Sequence, residues 1–299
     1  MLEARAKKTT RLLLASALLG PMVSAEEPSW LPPMFVRAAR PATPASSLAE
    51  DALTGAYGQP EWTGSRRFAT TRAYLQQDPW EIGAEQWWRS RKNGDEWSHR
   101  MQEELSLGLP HRFQLDLYYD WTLDDHEADF EDVALELRWA FADWGVIPFN
   151  PTLYFEYKWV DDDRGGNVVE PKILFSDSFG NGWHWATNFV WEKELTDGQA
   201  EEWAVTAALS RSIIDRRLSL GVEATYKWET GLGSRDNPER KFNIGPSLQW
   251  RPTPCTHVDV VGIAGLTADA PDLEGWLVLG WDFGPGGEQK GFTPVTRRQ

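Results

Sequence analysis

Period-two alternation of apolar and polar residues constrains this chain more than any other feature. In FQLDLYYDW, residues 113–121, Phe113, Leu115, Leu117, Tyr119 and Trp121 share one parity. Gln114, Asp116, Tyr118 and Asp120 share the other. Successive side chains of a strand point to opposite faces, so the stretch reads as a strand with one apolar and one polar face. VALELRWAF sets Val133, Leu135, Leu137, Trp139 and Phe141 against Ala134, Glu136, Arg138 and Ala140. LYFEYKW and LSLGVEATYKW follow the same rule. Beyond residue 80 this reading predicts about twelve strands: 80–89, 98–109, 111–122, 131–142, 151–160, 168–177, 183–194, 201–212, 216–229, 240–251, 256–267 and 273–283. No segment there has a persuasive helical period. The weakest strands are 168–177, which contains Pro171, and 256–267, where Gly and Val blur the two faces.

The bulk numbers resemble those of a water-soluble protein: 299 residues, 25% charged, net charge -15 and mean hydropathy -0.50. No apolar run approaches the ~18 residues of a membrane-spanning helix. A helical membrane protein is therefore excluded, but a transmembrane barrel is not, because its strands are apolar only at every second position. The 18 tryptophans are many for a soluble domain of this size, and their placement is ordered. When strand directions alternate, Trp88, Trp121, Trp159, Trp191, Trp203 and Trp228, with Trp97, fall near one set of strand ends. Trp139, Trp183, Trp250 and Trp281, with Trp144, fall near the other. Indoles prefer the lipid–water boundary, so these read as two girdles. Connectors alternate as well. SRKNGDEW, DDHEADFED, DDDRGGN, TDGQAE and TGLGSRDNPER are polar, and LPH, DWGVIPFN, IIDRR and RPTPC are shorter or carry Pro and apolar residues. The bulky parity would overfill a lumen of this size, so it is expected to face lipid. The expectation is an all-β fold: a closed antiparallel transmembrane β-barrel, an up-and-down meander of about 12 strands over residues 80–283.

Residues 1–25 read as an export signal. Arg5, Lys7, Lys8 and Arg11 precede the short apolar stretch LLLASALLG, and Val23-Ser24-Ala25 is a small-residue cleavage site. Residues 26–79 form a lead rich in Pro and Ala, read as a periplasmic segment or a lumen plug; Arg66, Arg67 and Arg72 could meet an acidic wall. Residues 284–299 are a C-terminal tail. The only cysteine, Cys255, rules out an intrachain disulfide framework. With the export signal, the strand ladder and a last strand GWLVLGWDF ending at Phe283, the chain resembles Gram-negative outer-membrane β-barrel proteins. That resemblance implies residence in the outer membrane among its lipids, and delivery by the barrel-assembly machinery reading the strand that ends at Phe283. The 16-residue tail after Phe283 departs from the usual chain-terminal position of such a strand.

The polar parity then faces an enclosed axis. It carries Asp116, Asp120, Glu136, Glu156, Glu170, Glu192 and Glu223, together with Arg138, Lys158, Lys172 and Lys227. Glu81, Glu85, Glu104, Asp132, Asp259, Arg112, Lys241 and Arg251 extend the set. Isolated buried ions are costly, so either water fills the lumen or the charges pair into a network that closes it. Glu156 and Lys158 facing Glu170 and Lys172 would allow pairing across strands. The leading expectation is a narrow channel for small solutes or ions, with an acidic lumen favouring cations. The alternatives are a plugged structural barrel with a salt-bridged interior, and a barrel lipid hydrolase. For the hydrolase, Ser98 and His99 fall on opposite faces, and His184 and Asn188 share a face without a convincing serine. His126 sits in an acidic loop. No nucleophile elbow, zinc or nucleotide motif is present, so neither catalysis, cofactor nor metal is expected. The acidity disfavours nucleic acid as a partner.

Overall fold

The computed structural model describes residues 48–65, 68–124, 127–180, 182–196 and 199–284. The expected export signal, the first part of the lead, Arg66 and Arg67, His126 and the tail beyond Gly284 lie outside the described residues.

Twelve antiparallel strands close into one barrel. They are β1 (Ile82–Asn93), β2 (Glu96–Leu109), β3 (Phe113–Asp124), β4 (Glu127–Ala140), β5 (Thr152–Val160) and β6 (Val168–Ser178), then β7 (Trp183–Glu194), β8 (Glu201–Ile214), β9 (Leu218–Thr230), β10 (Glu239–Thr253), β11 (Thr256–Gly265) and β12 (Leu273–Phe283). Each pairs with its sequence neighbours, and β1 closes the ring on β12 from Ile82↔Phe283 to Lys92↔Leu273. Closure pairs the backbone groups that an open sheet edge would leave bare, which a bilayer does not tolerate. The doubtful strand with Pro171 is a full member. Its ladder to β7 skips from Val169↔Lys193 to Lys172↔Val190, around the residue that has no N–H to give.

Several strands run further than their alternation does. β1 and β2 take up most of SRKNGDEW and are joined only by Gly94 and Asp95. Gly94 has φ +58°, which glycine adopts without strain at the first position of a two-residue hairpin loop. β3 and β4 likewise absorb most of DDHEADFED. Above the bilayer both faces of a hairpin meet water, so the polar–apolar rhythm fades while backbone pairing continues. At the opposite end, Pro110–Arg112 form a tight turn, with φ +62° at His111 and +67° at Arg112. Arg112 therefore belongs to that turn, paired with Asp143 at 3.3 Å, and not to the wall as expected.

The two parities separate cleanly. Leu117 is 45% exposed and its neighbour Asp116 0%; Phe155 and Tyr226 face outward, and Glu136 and Glu223 are fully buried. Trp191, Trp203 and Trp228 stand in one register row across β7, β8 and β9. Trp88 joins Trp121 through Met101 in another. Trp159 is outward on β5; Trp139, Trp183, Trp250 and Trp281 are outward at the opposite strand ends. Trp183 and Trp191 are eight residues apart on β7. That is roughly 27 Å along the strand, which tilt brings near the ~25 Å apolar band of such barrels. Trp144 is the exception: it is 5% exposed and packs inward, edge-on to Trp62 and Tyr74.

Candidate functional site

The barrel lumen gathers most of the buried charge. Asp116, Glu136, Glu156 and Glu170 form one register row across β3, β4, β5 and β6, like charge directly opposite like charge. Such a row is unfavourable by itself, and the cations stand two residues along, diagonal to it. Arg138 reaches Asp116 at 3.0 Å and Glu136 at 2.6 Å, all three fully buried. Tyr118 donates to Glu136, and Gln114 to Asp116 at 2.9 Å. Lys158 lies 3.4 Å from Glu156, 3.3 Å from Glu170 and 2.8 Å from Glu192. Lys172 pairs with Glu170 and sits 4.1 Å over the Tyr154 ring. The pairing expected across β5 and β6 is thus diagonal: Glu156 stands opposite Glu170, and Lys172 opposite Tyr154.

The ring continues around the axis. Arg100 holds Asp120 at 3.1 Å, Glu131 at 3.2 Å and Asp132 at 3.0 Å. Lys227 holds Glu202 at 3.0 Å, Lys241 holds Glu239 at 2.9 Å, and His257 lies between Asp259 at 2.8 Å and Glu85 at 3.4 Å.

The described residues of the lead, 48–65 and 68–79, occupy the lumen at the end of the short turns. They contain a 3-10 turn (Ala49–Asp51), one antiparallel bridge between Leu53 and Pro60, and one short helix, α1 (Glu61–Ser65), and are otherwise irregular. Their apolar residues Trp62, Phe68, Tyr74 and Leu75 pack with Trp144 and with the small wall residues Ala140, Ala186 and Ala208. Small wall side chains leave the room that these rings fill. Irregular backbone has no ladder of its own, so wall side chains complete its hydrogen bonds. Asn188 accepts from the Arg72 N–H and donates to its carbonyl, both at 2.7 Å. Gln114 accepts from the Gln76 N–H at 2.7 Å, Glu223 from the Thr70 N–H at 2.8 Å, and Ser176 donates to the Ala73 carbonyl at 2.7 Å. The Arg138 guanidinium donates to the Tyr74 carbonyl at 3.1 Å. Burial pushes the Tyr74 phenol above its usual pKa, so it stays a neutral donor to the Ala142 carbonyl at 2.8 Å. Arg72 lies 3.7 Å from Glu104 and 4.7 Å over the Trp87 ring. Glu61 meets Arg216 at 2.7 Å and Arg251 at 3.4 Å.

The residues weighed for chemistry have other partners. His99 meets Ser90, not Ser98, at 2.9 Å on the outward face. His184 bonds Asp51 and stacks on Trp62 at 4.5 Å, and Asn188 holds the Arg72 backbone. Glu50, Asp51 and His184 bring ligand-type atoms within 4.8 Å of one another, although the imidazole is already bonded to Asp51 and the Arg216 N–H donates to Glu50.

Toward the long-hairpin end the lumen opens into a vestibule. A cavity of about 250 Å³ lies directly above the lead, and a wider one of about 780 Å³ adjoins it through Arg91, Glu202, Lys227 and Glu274. Sequence reasoning missed Arg89, Arg91 and Arg100 on this wall. Carrying the Glu85 parity forward through 87, 89 and 91 would have found the first two, but inward Trp87 breaks the polar rule.

Among solved structures, the fold is similar to the COG4313 outer membrane channel from Pseudomonas putida F1, at 10% identity and TM-score 0.52, covering 73% of this chain and 100% of that one. Matches also include the NanC porin (10% identity, TM-score 0.48, 68% of this chain and 100% of that one) and a KdgM porin in complex with disordered oligogalacturonate (10%, 0.45, 69% and 99%). No curated protein matches the sequence. Residues 101–276, from β2 to β12, match the family described as "Putative MetA-pathway of phenol degradation". With more than half of its length inside that match, this outer-membrane-type barrel belongs to that family.

Proposed function

We propose that the protein is an outer-membrane channel that passes small solutes or ions without converting them, and that residues 48–79 hold it closed at rest. The observation that carries this reading is a lumen with two halves: an open, charged vestibule above, and the protein's own lead filling the axis below. The Pseudomonas structure is titled a channel and the family description names a phenol-degradation route; both support a small organic solute as cargo. Inward carboxylates outnumber inward cations, which favours cations among simple ions. Residues 1–25 would direct export, and the strand ending at Phe283 would engage the assembly machinery.

The test is planar-bilayer recording of the refolded chain with and without residues 26–79. Removing them is expected to enlarge or unblock the conductance step; an unchanged step would eliminate the gating role. A heat-modifiable, folded barrel that never conducts in either form would instead favour the plugged structural reading, which the fully buried Arg138–Asp116–Glu136 network supports.

A further inference from the structure

We propose that Arg89 marks an anion-binding subsite in the lumen above the lead, fitted to the carboxylate of a small, flat organic acid. Cations around it are matched to carboxylates. Arg100 holds three acids, Arg91 lies 3.4 Å from Glu274, and Lys227 lies 3.0 Å from Glu202. Arg89 is different: its backbone belongs to the β1 ladders, but among the described residues its guanidinium has no hydrogen bond and no ion pair. It also stands directly opposite Arg100 on β2. Like charges in that position repel, and a half-buried guanidinium without a counterion adds a desolvation cost. An anion placed against Arg89 removes both penalties.

The surroundings define which anion. On its other side Arg89 stands opposite Trp276 of β12, and both line the cavity of about 250 Å³ together with Trp87. The planar guanidinium fork matches a carboxylate with two parallel N–H···O bonds. The cavity is somewhat smaller than the ~300–1,000 Å³ usual for drug-sized ligands, which suits a small acid. The indole of Trp276 offers a flat π surface beside the fork, which an aliphatic acid would leave uncovered. Asp120 and Glu274 line the same cavity and repel a polyanion. The net acidity of the wall sets the preference among simple ions, whereas the unmatched guanidinium of Arg89 sets where an anionic group rests. That the bound acid is cargo rests on the channel reading; that it binds does not.

Equilibrium dialysis of radiolabelled benzoate against the full chain, folded in detergent, tests the subsite. The expected result is saturable binding of one benzoate per barrel, weakened about tenfold or more in Arg89→Gln, the loss of one charge-assisted pair. Arg164→Gln, which removes a cation from an outer loop, is expected to bind as the unaltered chain does. Heat-modifiable migration checks that each variant is folded. Arg89→Gln binding benzoate normally, or Arg164→Gln showing the same loss, would overturn the proposal. Acetate competing as well as benzoate would overturn the flat-acid part. Because dialysis reads binding without transport, a barrel that binds benzoate yet never conducts defeats the channel and leaves the subsite. A conducting barrel with normal benzoate binding in Arg89→Gln does the reverse.

Discussion

Arg138 is surrounded by acceptors, with Asp116, Glu136 and the Tyr74 carbonyl all within hydrogen-bonding distance. Its parity with Glu136 was legible in VALELRWAF, and the alternation of FQLDLYYDW put Asp116 on the same side. The contact to Tyr74 was not legible, because the two lie 64 residues apart and the lead has no period to extrapolate. Replacing Arg138 by Met should leave two buried carboxylates without their cation, at a cost of about 3–5 kcal/mol. The readout is the temperature at which the folded band converts to the unfolded one in semi-native electrophoresis, and it should fall. No fall would mean that water already screens these groups. On the opposite parity, Leu117→Arg should cost about 2–4 kcal/mol if its row lies near the bilayer midplane. Denaturant titration of the barrel folded in lipid vesicles measures that cost, and a neutral result would remove lipid from the outer face.

Among the elements, the lead comes closest to the wall backbone at Gly108. Trp80 donates to the Gly108 carbonyl at 2.7 Å, and Gly108 donates to the Glu81 carbonyl at 2.9 Å, so the end of the lead pairs briefly with β2. A Cβ at Gly108 would fall 2.0 Å from the Asp78 carbonyl oxygen, a backbone atom that cannot swing aside. Gly108→Ala should therefore push the lead off its seat while the barrel stays closed. In bilayer recordings this variant should open more often than the unaltered chain; identical gating would argue that the lead does not control the pathway. The strands themselves were legible, β6 included, because a barrel buries backbone on every strand and tolerates one missing donor. Their ends were not, since β1, β2, β3 and β4 continue above the bilayer, where the apolar rhythm no longer applies.

For the whole molecule, the proposed cation preference rests on the summed field of the lumen. Reversal potentials under a KCl gradient should favour the cation at low salt. The preference should shrink as ionic strength approaches 1 M, where the Debye length falls to about 3 Å. A preference that does not respond to salt would point to discrete binding sites in place of the field. An anion preference would show that the unmatched arginine side of the vestibule, and not the acid excess, governs permeation.

What the sequence determined by itself was the sidedness of the barrel: period-two patterning assigns most residues of the alternating strands to one face or the other, and a dozen such strands with aromatic ends have few other ways to hide their bulky parity from water. What tertiary structure decided was how the lumen is filled. Charge partners such as Lys158 with Glu192, or Arg100 with Glu131, depend on register across strands, which alternation leaves open by steps of two. The seat of residues 48–79 depends on cavities left by Ala140, Ala186 and Ala208 on three separate strands. No local pattern encodes such a shape; it exists only once the ring has closed.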